Sequence, residues 1–141
     1  MGNMRILGLD VGDKRVGVAI NDPMGWGKAQ PLATLERKNL LHELPKIIEE
    51  YNIEKIVIGI PHTTGEKLSA QAKKIARFSK EIEKTMKLPI VLWDETLSSV
   101  EAEEILISAD VSRKKRKKLS DKVAATLILQ SYLLSCHSEE H

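Results

Sequence analysis

The chain has 141 residues, 22 Lys+Arg against 20 Asp+Glu, 42% hydrophobic and 30% charged residues. That length suits one domain spanning 1–141, with a core able to bury about two-thirds of the unfolded surface, and the composition excludes a disordered chain. No apolar run approaches the roughly 20 residues of a membrane span, no signal peptide opens the sequence, and one cysteine, Cys136, allows no internal disulfide, so a reducing, cytoplasmic setting without membrane partners is expected.

Met4 to Val11 alternates and carries Ile6, Leu7, Leu9 and Val11. Lys14 to Ile20 repeats the pattern with Val16, Val18 and Ile20. Gly12-Asp13 between them predicts a two-residue hairpin turn. The register that follows sets Val11 against Lys14, Asp10 against Arg15, Leu9 against Val16, Gly8 against Gly17 and Leu7 against Val18. One face then holds Leu7, Leu9, Val16 and Val18, a core face. The other holds Gly8, Asp10, Arg15 and Gly17, where facing glycines leave room for a close helix or a ligand.

Ala29 to Leu35 reads as a third strand, at an edge because of Pro31. Leu40, Leu41, Leu44, Ile47 and Ile48 recur at helical spacing, with Asn39 as N-cap and Pro45 in or near the first turn. Ile56 to Ile60 is a continuous apolar run, expected for a strand covered on both sides. Lys67 to Met86 predicts a long helix through Leu68, Ala72, Ile75, Phe78 (or Ser79) and Ile82. Pro89 to Trp93 predicts a second covered strand, and Leu97–Ile107 and Leu119–Leu134 predict two more helices. The order implies an α/β fold: a mixed five-stranded sheet, first an antiparallel meander and then parallel strands, with helices on both faces.

Three acidic positions close or open elements: Asp10, the pair Asp94-Glu95, and Asp121. Ligands gather at the C-terminal ends of strands in open sheets. Alternation sends Asp94 and Glu95 to opposite faces, so one of them joins Asp10; the sequence does not choose. Two carboxylates at ~5 Å repel by roughly 3 kcal/mol at an effective dielectric near 20. A cluster of three therefore needs cations, and all-oxygen ligation suits Mg²⁺ or Mn²⁺. Such ions can activate water against a phosphodiester. Local roles account for the same residues: Asp121 at a helix start, Asp94 or Glu95 as a cap, Asp10 paired across the hairpin with Arg15. On spacing alone, those local roles fit better than a metal site.

A resemblance changes that balance. Leu9-Asp10-Val11-Gly12-Asp13-Lys14-Arg15-Val16-Gly17-Val18-Ala19 resembles the opening D-x-G-x-x-R-x-G-x-A signature of the YqgF/RuvX family. Trp93-Asp94-Glu95-Thr96-Leu97-Ser98 is similar to its D-E-x-L-[ST] run. Lys117 to Ala125, continuing to Leu129-Gln130-Ser131-Tyr132-Leu133, resembles its K-x-x-x-D-x-x-A-A…L-Q-x-Y-L pattern. The likeness covers nearly the whole chain, in order. It implies an RNase H-like fold and a metal-dependent nuclease with Asp10, Glu95 and Asp121 as the catalytic, Mg²⁺- or Mn²⁺-binding triad. Members are regarded as nucleases, proposed for maturation of the 5′ end of the small-subunit (16S) rRNA precursor and for Holliday junctions. The implied partners are an rRNA precursor, within the small-subunit precursor particle, or branched DNA, and the expected state is a monomer or weak homodimer. Thr96 stands where the family often has Arg, and His62-Thr63-Thr64-Gly65 where it often has an Asn-containing loop. A non-catalytic binding module of the same fold is the alternative.

Arg113, Lys114, Lys115, Arg116, Lys117 and Lys118 form an unbroken basic block before Asp121, suited to gripping phosphates or to remaining a solvated loop. Lys14 and Arg15, beside Asp10, are further phosphate candidates. The loop 62–65, Trp26, and the tail residues Cys136, His137 and His141 read as ordinary loop and terminus.

Overall fold

A hairpin sets the frame. Strand β1 spans Ile6–Val11 and β2 spans Arg15–Asn21. The computed structural model describes residues 4–22, 28–60, 70–94 and 123–135. In it Asp10 lies opposite Gly17, Leu9 opposite Val18, Gly8 opposite Ala19 and Leu7 opposite Ile20. The turn is one residue later than the sequence suggests. Gly12 donates its N–H to the Arg15 carbonyl at 2.9 Å, so Asp13-Lys14 form the two-residue loop. Gly12 serves the closing pair rather than the turn: a Cβ there would stand 2.8 Å from the Arg15 oxygen. Every partner therefore shifts by two positions, and Asp10 faces Gly17 rather than Arg15. The faces survive, because strand alternation has a period of two and an even slip preserves it.

Strand β3, Ala29–Glu36, pairs with β2 and forms one edge, as Pro31 led us to expect. The ladder shifts between Val18 and Ala19, where Ala33 and Pro31 are their partners. This bulge absorbs the proline, which has no N–H for the ladder. A 3₁₀ turn, Arg37–Asn39, leads into α1, Leu40–Tyr51. Asn39 is the N-cap residue, yet its side chain makes no cap bond; the Leu40 N–H is already met by the Arg37 carbonyl of the preceding turn. Pro45 lies in the second turn of α1, inside the helix, deeper than expected. Fully buried Leu40 and Leu44 hold the helix there despite the missing backbone bond.

Strand β4, Lys55–Ile60, runs parallel to β1, and β5, Ile90–Asp94, runs parallel to β4. The sheet order is β3-β2-β1-β4-β5. Ile56, Val57 and Ile58 are wholly buried, as a covered central strand requires. β5 corrects the expectation: it is an edge strand, half-exposed along its length, with Leu92 41% exposed. An apolar run reads alike at an edge and at the centre, and only pairing distinguishes them.

Helices cover both faces. α1 and α2 (Ala70–Met86) lie over Leu7, Leu9, Val16, Val18, Ile56 and Ile58. In α2 the buried stripe is Ala72, Ile75, Ser79 and Ile82. Ser79 is admitted because its hydroxyl donates to the Ala76 carbonyl at 2.7 Å. The opposite face is covered by α3, helical over the described residues 123–135. Its Ala125, Ile128, Leu129 and Tyr132 pack on Ile6, Ala19 and Val57, a stripe at the three-to-four spacing of an amphipathic helix. Asn21 fastens the start of β1: its Oδ1 accepts from the Ile6 N–H at 2.8 Å and its Nδ2 donates to the Met4 carbonyl at 2.8 Å. Leu97–Ile107 lies outside the described residues, and no described helix is long and apolar enough to cross a membrane.

Candidate functional site

The site begins at Asp10, the next-to-last residue of β1 and half-buried. Alternation fixes its face. Ile6, Gly8 and Asp10 share one side of β1, and Ile6 packs in the α3 cluster. Asp10 therefore belongs to the α3 face, at the C-terminal end of β1. There β1 has an antiparallel neighbour on one side and a parallel one on the other. Parallel strands β1, β4 and β5 all end on this side, the position where open α/β sheets bind ligands.

Small residues flank Asp10 in the sheet. Gly17 lies directly opposite on β2 and Thr34 opposite Gly17 on β3. Two strand spacings set Asp10 and Thr34 about 10 Å apart at the backbone, with Gly17 between them in the pairing. The Thr34 hydroxyl is buried and has no hydrogen-bond partner, a state that costs about 1–3 kcal/mol if nothing fills it. Arg15 shares this face, opposite Glu36 and diagonal to Asp10. Gly8 explains how α3 comes so near: a Cβ there would sit 2.8 Å from Leu129 Cβ and 3.2 Å from the Ala125 carbonyl oxygen.

The choice left open between Asp94 and Glu95 narrows here. Ile90, Leu92 and Asp94 share a face by alternation, and Ile90 packs on the α1–α2 core. Val91 and Trp93 pack on the α3 side. Asp94 thus belongs to the face away from Asp10, with β4 between their strands. Trp93 turns toward α3, edge-on to Tyr132 with ring centroids 5.4 Å apart, and its Nε1 donates to the Ser131 hydroxyl at 3.1 Å. Glu95, Asp121 and the block Arg113 to Lys118 lie outside the described residues, as do Trp26, residues 62–65 and the tail from Cys136.

Lys14 and Arg15 meet two residues that sequence reading passed over. Arg37 and Lys38 follow the end of β3 and join Gly12, Asp13, Lys14, Arg15 and Glu36 around an open groove of about 840 Å³. The Arg37 guanidinium lies 4.8 Å from the Phe78 ring centroid and donates to the Gly12 carbonyl at 3.3 Å. The signal for Thr34 and Arg37 is visible only once the β2–β3 register is known, because they are distant in sequence from the acidic motif.

Comparison with known proteins defines the class first. The fold matches RuvC of Thermus thermophilus, solved in complex with a Holliday junction substrate, with a TM-score of 0.59 at 12% identity over 96% of each chain. The yeast mitochondrial Holliday junction resolvase Ydc2 matches with a TM-score of 0.50 at 10% identity, over 93% of this chain and 78% of that one. The fold is RNase H-like. Closer in sequence are proteins named "Putative pre-16S rRNA nuclease": that of Desulforamulus reducens is 48% identical over 92% of this chain and 96% of its own length. That of Clostridium tetani is 45% identical over 96% and 100%. The RuvX family, described as Holliday junction resolvase, matches residues 4–135. The chain belongs to the RuvX family and is a nuclease of the hydrolase class.

Proposed function

We propose that the chain is a divalent-metal-dependent endonuclease that cuts structured RNA, acting on the 5′ side of the small-subunit rRNA precursor. The observation that carries it is Asp10, set on the α3 face at the ends of the parallel strands and opposite Gly17. The relatives' shared name supports the RNA substrate.

The donor set fits Mg²⁺ or Mn²⁺: carboxylates alone, all oxygen. Asp10, Glu95 and Asp121 would hold the ion, which when bound supplies the Lewis acidity for hydrolysing a phosphodiester. Two features support the two acids beyond the described residues. Glu95 follows Asp94 directly in sequence, and Asp94 belongs to the face away from Asp10, which leaves Glu95 as the acid of the pair for this site. Asp121 precedes Ala125 by four positions in sequence, and the Ala125 carbonyl lies over the Gly8 position two residues before Asp10. The chain's own groups do the rest. Asp10 would hold the ion at the reacting phosphate, and Lys14 and Arg15 meet phosphates beside the cut. α3, pressed on Gly8, closes one wall of the site against water.

The family's description favours a second reading, resolution of branched DNA. One assay decides between them: purified protein with a small-subunit rRNA precursor fragment and with a four-way DNA junction, each with Mg²⁺ and with EDTA. Mg²⁺-dependent cleavage of the RNA at a defined position, with the junction intact, is expected. Symmetric junction cutting with uncut RNA gives the second reading, and cleavage unaffected by EDTA overturns both.

A further inference from the structure

The four cations at the hairpin tip have a use that the acidic site alone does not give them. We infer that the groove between the β1–β2 turn and the end of β3 is a backbone-binding site for a helical arm of the nucleic acid, with Lys14, Arg15, Arg37 and Lys38 as its phosphate contacts. This rests on the nuclease reading and extends it to a surface outside the acidic motifs.

Position comes first. The groove is lined by Gly12 to Arg15 and Glu36 to Lys38. Gly12 is two residues beyond Asp10, about 7 Å along a strand. That is roughly two nucleotide steps of duplex rise at 3.4 Å per strand. A strand bound at Asp10 thus reaches the groove at its Arg15 side, and the groove continues around the hairpin tip to Arg37, backed by Phe78 of α2.

Charge comes second. The lining carries four cations against Asp13 and Glu36, a local excess of two in a chain whose total is +2. Glu36 is held by Lys38 at 3.5 Å, with side chains 79% and 60% exposed for Lys38 and Glu36. An ion pair so exposed is weak, and Lys38 can exchange it for a phosphate.

Preorganisation comes third. Arg37 is not a loose surface residue. Phe78 of α2 backs its guanidinium, the Gly12 carbonyl takes one of its N–H groups, and its own backbone N–H donates to the Lys14 carbonyl at 2.9 Å. These contacts tie the hairpin tip, the β3 end and α2 together. They hold a planar fork beside the groove, the geometry that grips phosphate with little entropy left to lose. The hairpin tip is otherwise an ordinary two-residue turn, and nothing in its folding requires an arginine from the next connection to clamp it.

The test reads salt dependence. A fluorescent RNA hairpin is titrated with wild type, with Lys14→Gln/Lys38→Gln, and with Lys73→Gln/Lys74→Gln as an equal charge change at exposed positions of α2. EDTA is present so that no cleavage occurs. Each lost phosphate contact lowers the slope of log Kd against log salt by about 0.9 on a duplex. The groove variant is expected to lose about 1.8 units of slope and the α2 variant to keep the wild-type value. A DNA hairpin should show the same loss, since phosphates carry the recognition. An unchanged slope in the groove variant, or an equal drop in the α2 variant, overturns the inference. Wild-type cleavage with Mg²⁺, measured beside it, separates the two readings. Cleavage with no slope difference removes the groove and leaves the nuclease. A slope difference without cleavage leaves the groove and removes the nuclease.

Discussion

Asp10→Asn is expected to lower Mg²⁺-dependent cleavage at least about a thousandfold while the protein keeps its fold. Asn matches Asp in size and removes only the charge. Holding a metal ion at the reacting phosphate is worth several kcal/mol of transition-state stabilisation, and three orders of magnitude in rate correspond to about 4 kcal/mol. The substitution sits at a half-buried strand end facing Gly17, so no core packing is lost. The measurement is single-turnover cleavage with the far-ultraviolet spectrum and melting temperature recorded beside it. Activity within tenfold of wild type, with folding intact, removes Asp10 from the chemistry. Raising Mg²⁺ should rescue little, since the lost group is one of the ion's proposed ligands.

Gly8→Ala should damage both stability and activity, although Gly8 touches no substrate. The added Cβ would stand 2.8 Å from Leu129 Cβ and 3.2 Å from the Ala125 carbonyl oxygen. Neither is the end of a flexible side chain, so α3 must move outward from the sheet. Overpacking of this kind costs about 1–3 kcal/mol, and urea unfolding should show it. The shift also reaches the site, because the helix lies over the strand that carries Asp10. A misplacement of about 1 Å at a reacting group costs on the order of a hundredfold in rate. Cleavage measured well below the melting point should therefore fall by about that factor, beyond any unfolded fraction. Wild-type stability in Gly8→Ala would mean that α3 does not press on β1 as described. Wild-type activity with reduced stability would mean that the helix has no part in positioning the site.

Much of the architecture was legible in the sequence because it rests on periodicity. The alternation in Met4 to Val11 and Lys14 to Ile20 predicts both strands, found at Ile6–Val11 and Arg15–Asn21, and sorts their faces correctly. The turn was misplaced by one residue, since Gly12 reads as a turn residue when its small size actually serves the closing pair. The partners slipped by two while the faces held. That is why Leu9 remained in the core and Asp10 remained on the working side, yet Arg15 was wrongly set against Asp10. Pro31 announced an edge, and the bulge beside it agrees. β5 was misjudged because Ile90-Val91-Leu92-Trp93 is as apolar as a central strand, and nothing local records how many neighbours a strand has. The side of Asp94 was undecidable until the β4–β5 pairing fixed it. Thr34 and Arg37 could not be found at all by motif, since their relation to Asp10 is created by pairing across β2 and by the turn into α1. The family motifs supplied Glu95 and Asp121, and spacing alone favoured local roles for both.

The adjacent carboxylates Asp94 and Glu95 give the most direct test, because Asp94 belongs to the face away from Asp10 and the proposed centre takes Glu95. Asp94→Asn and Glu95→Gln are compared for Mg²⁺-dependent cleavage of the rRNA precursor fragment under single-turnover conditions. The expected result is that Glu95→Gln falls to the background of Asp10→Asn while Asp94→Asn stays within a few-fold of wild type. An inactive Asp94→Asn with an active, folded Glu95→Gln would contradict a catalytic centre on the α3 face.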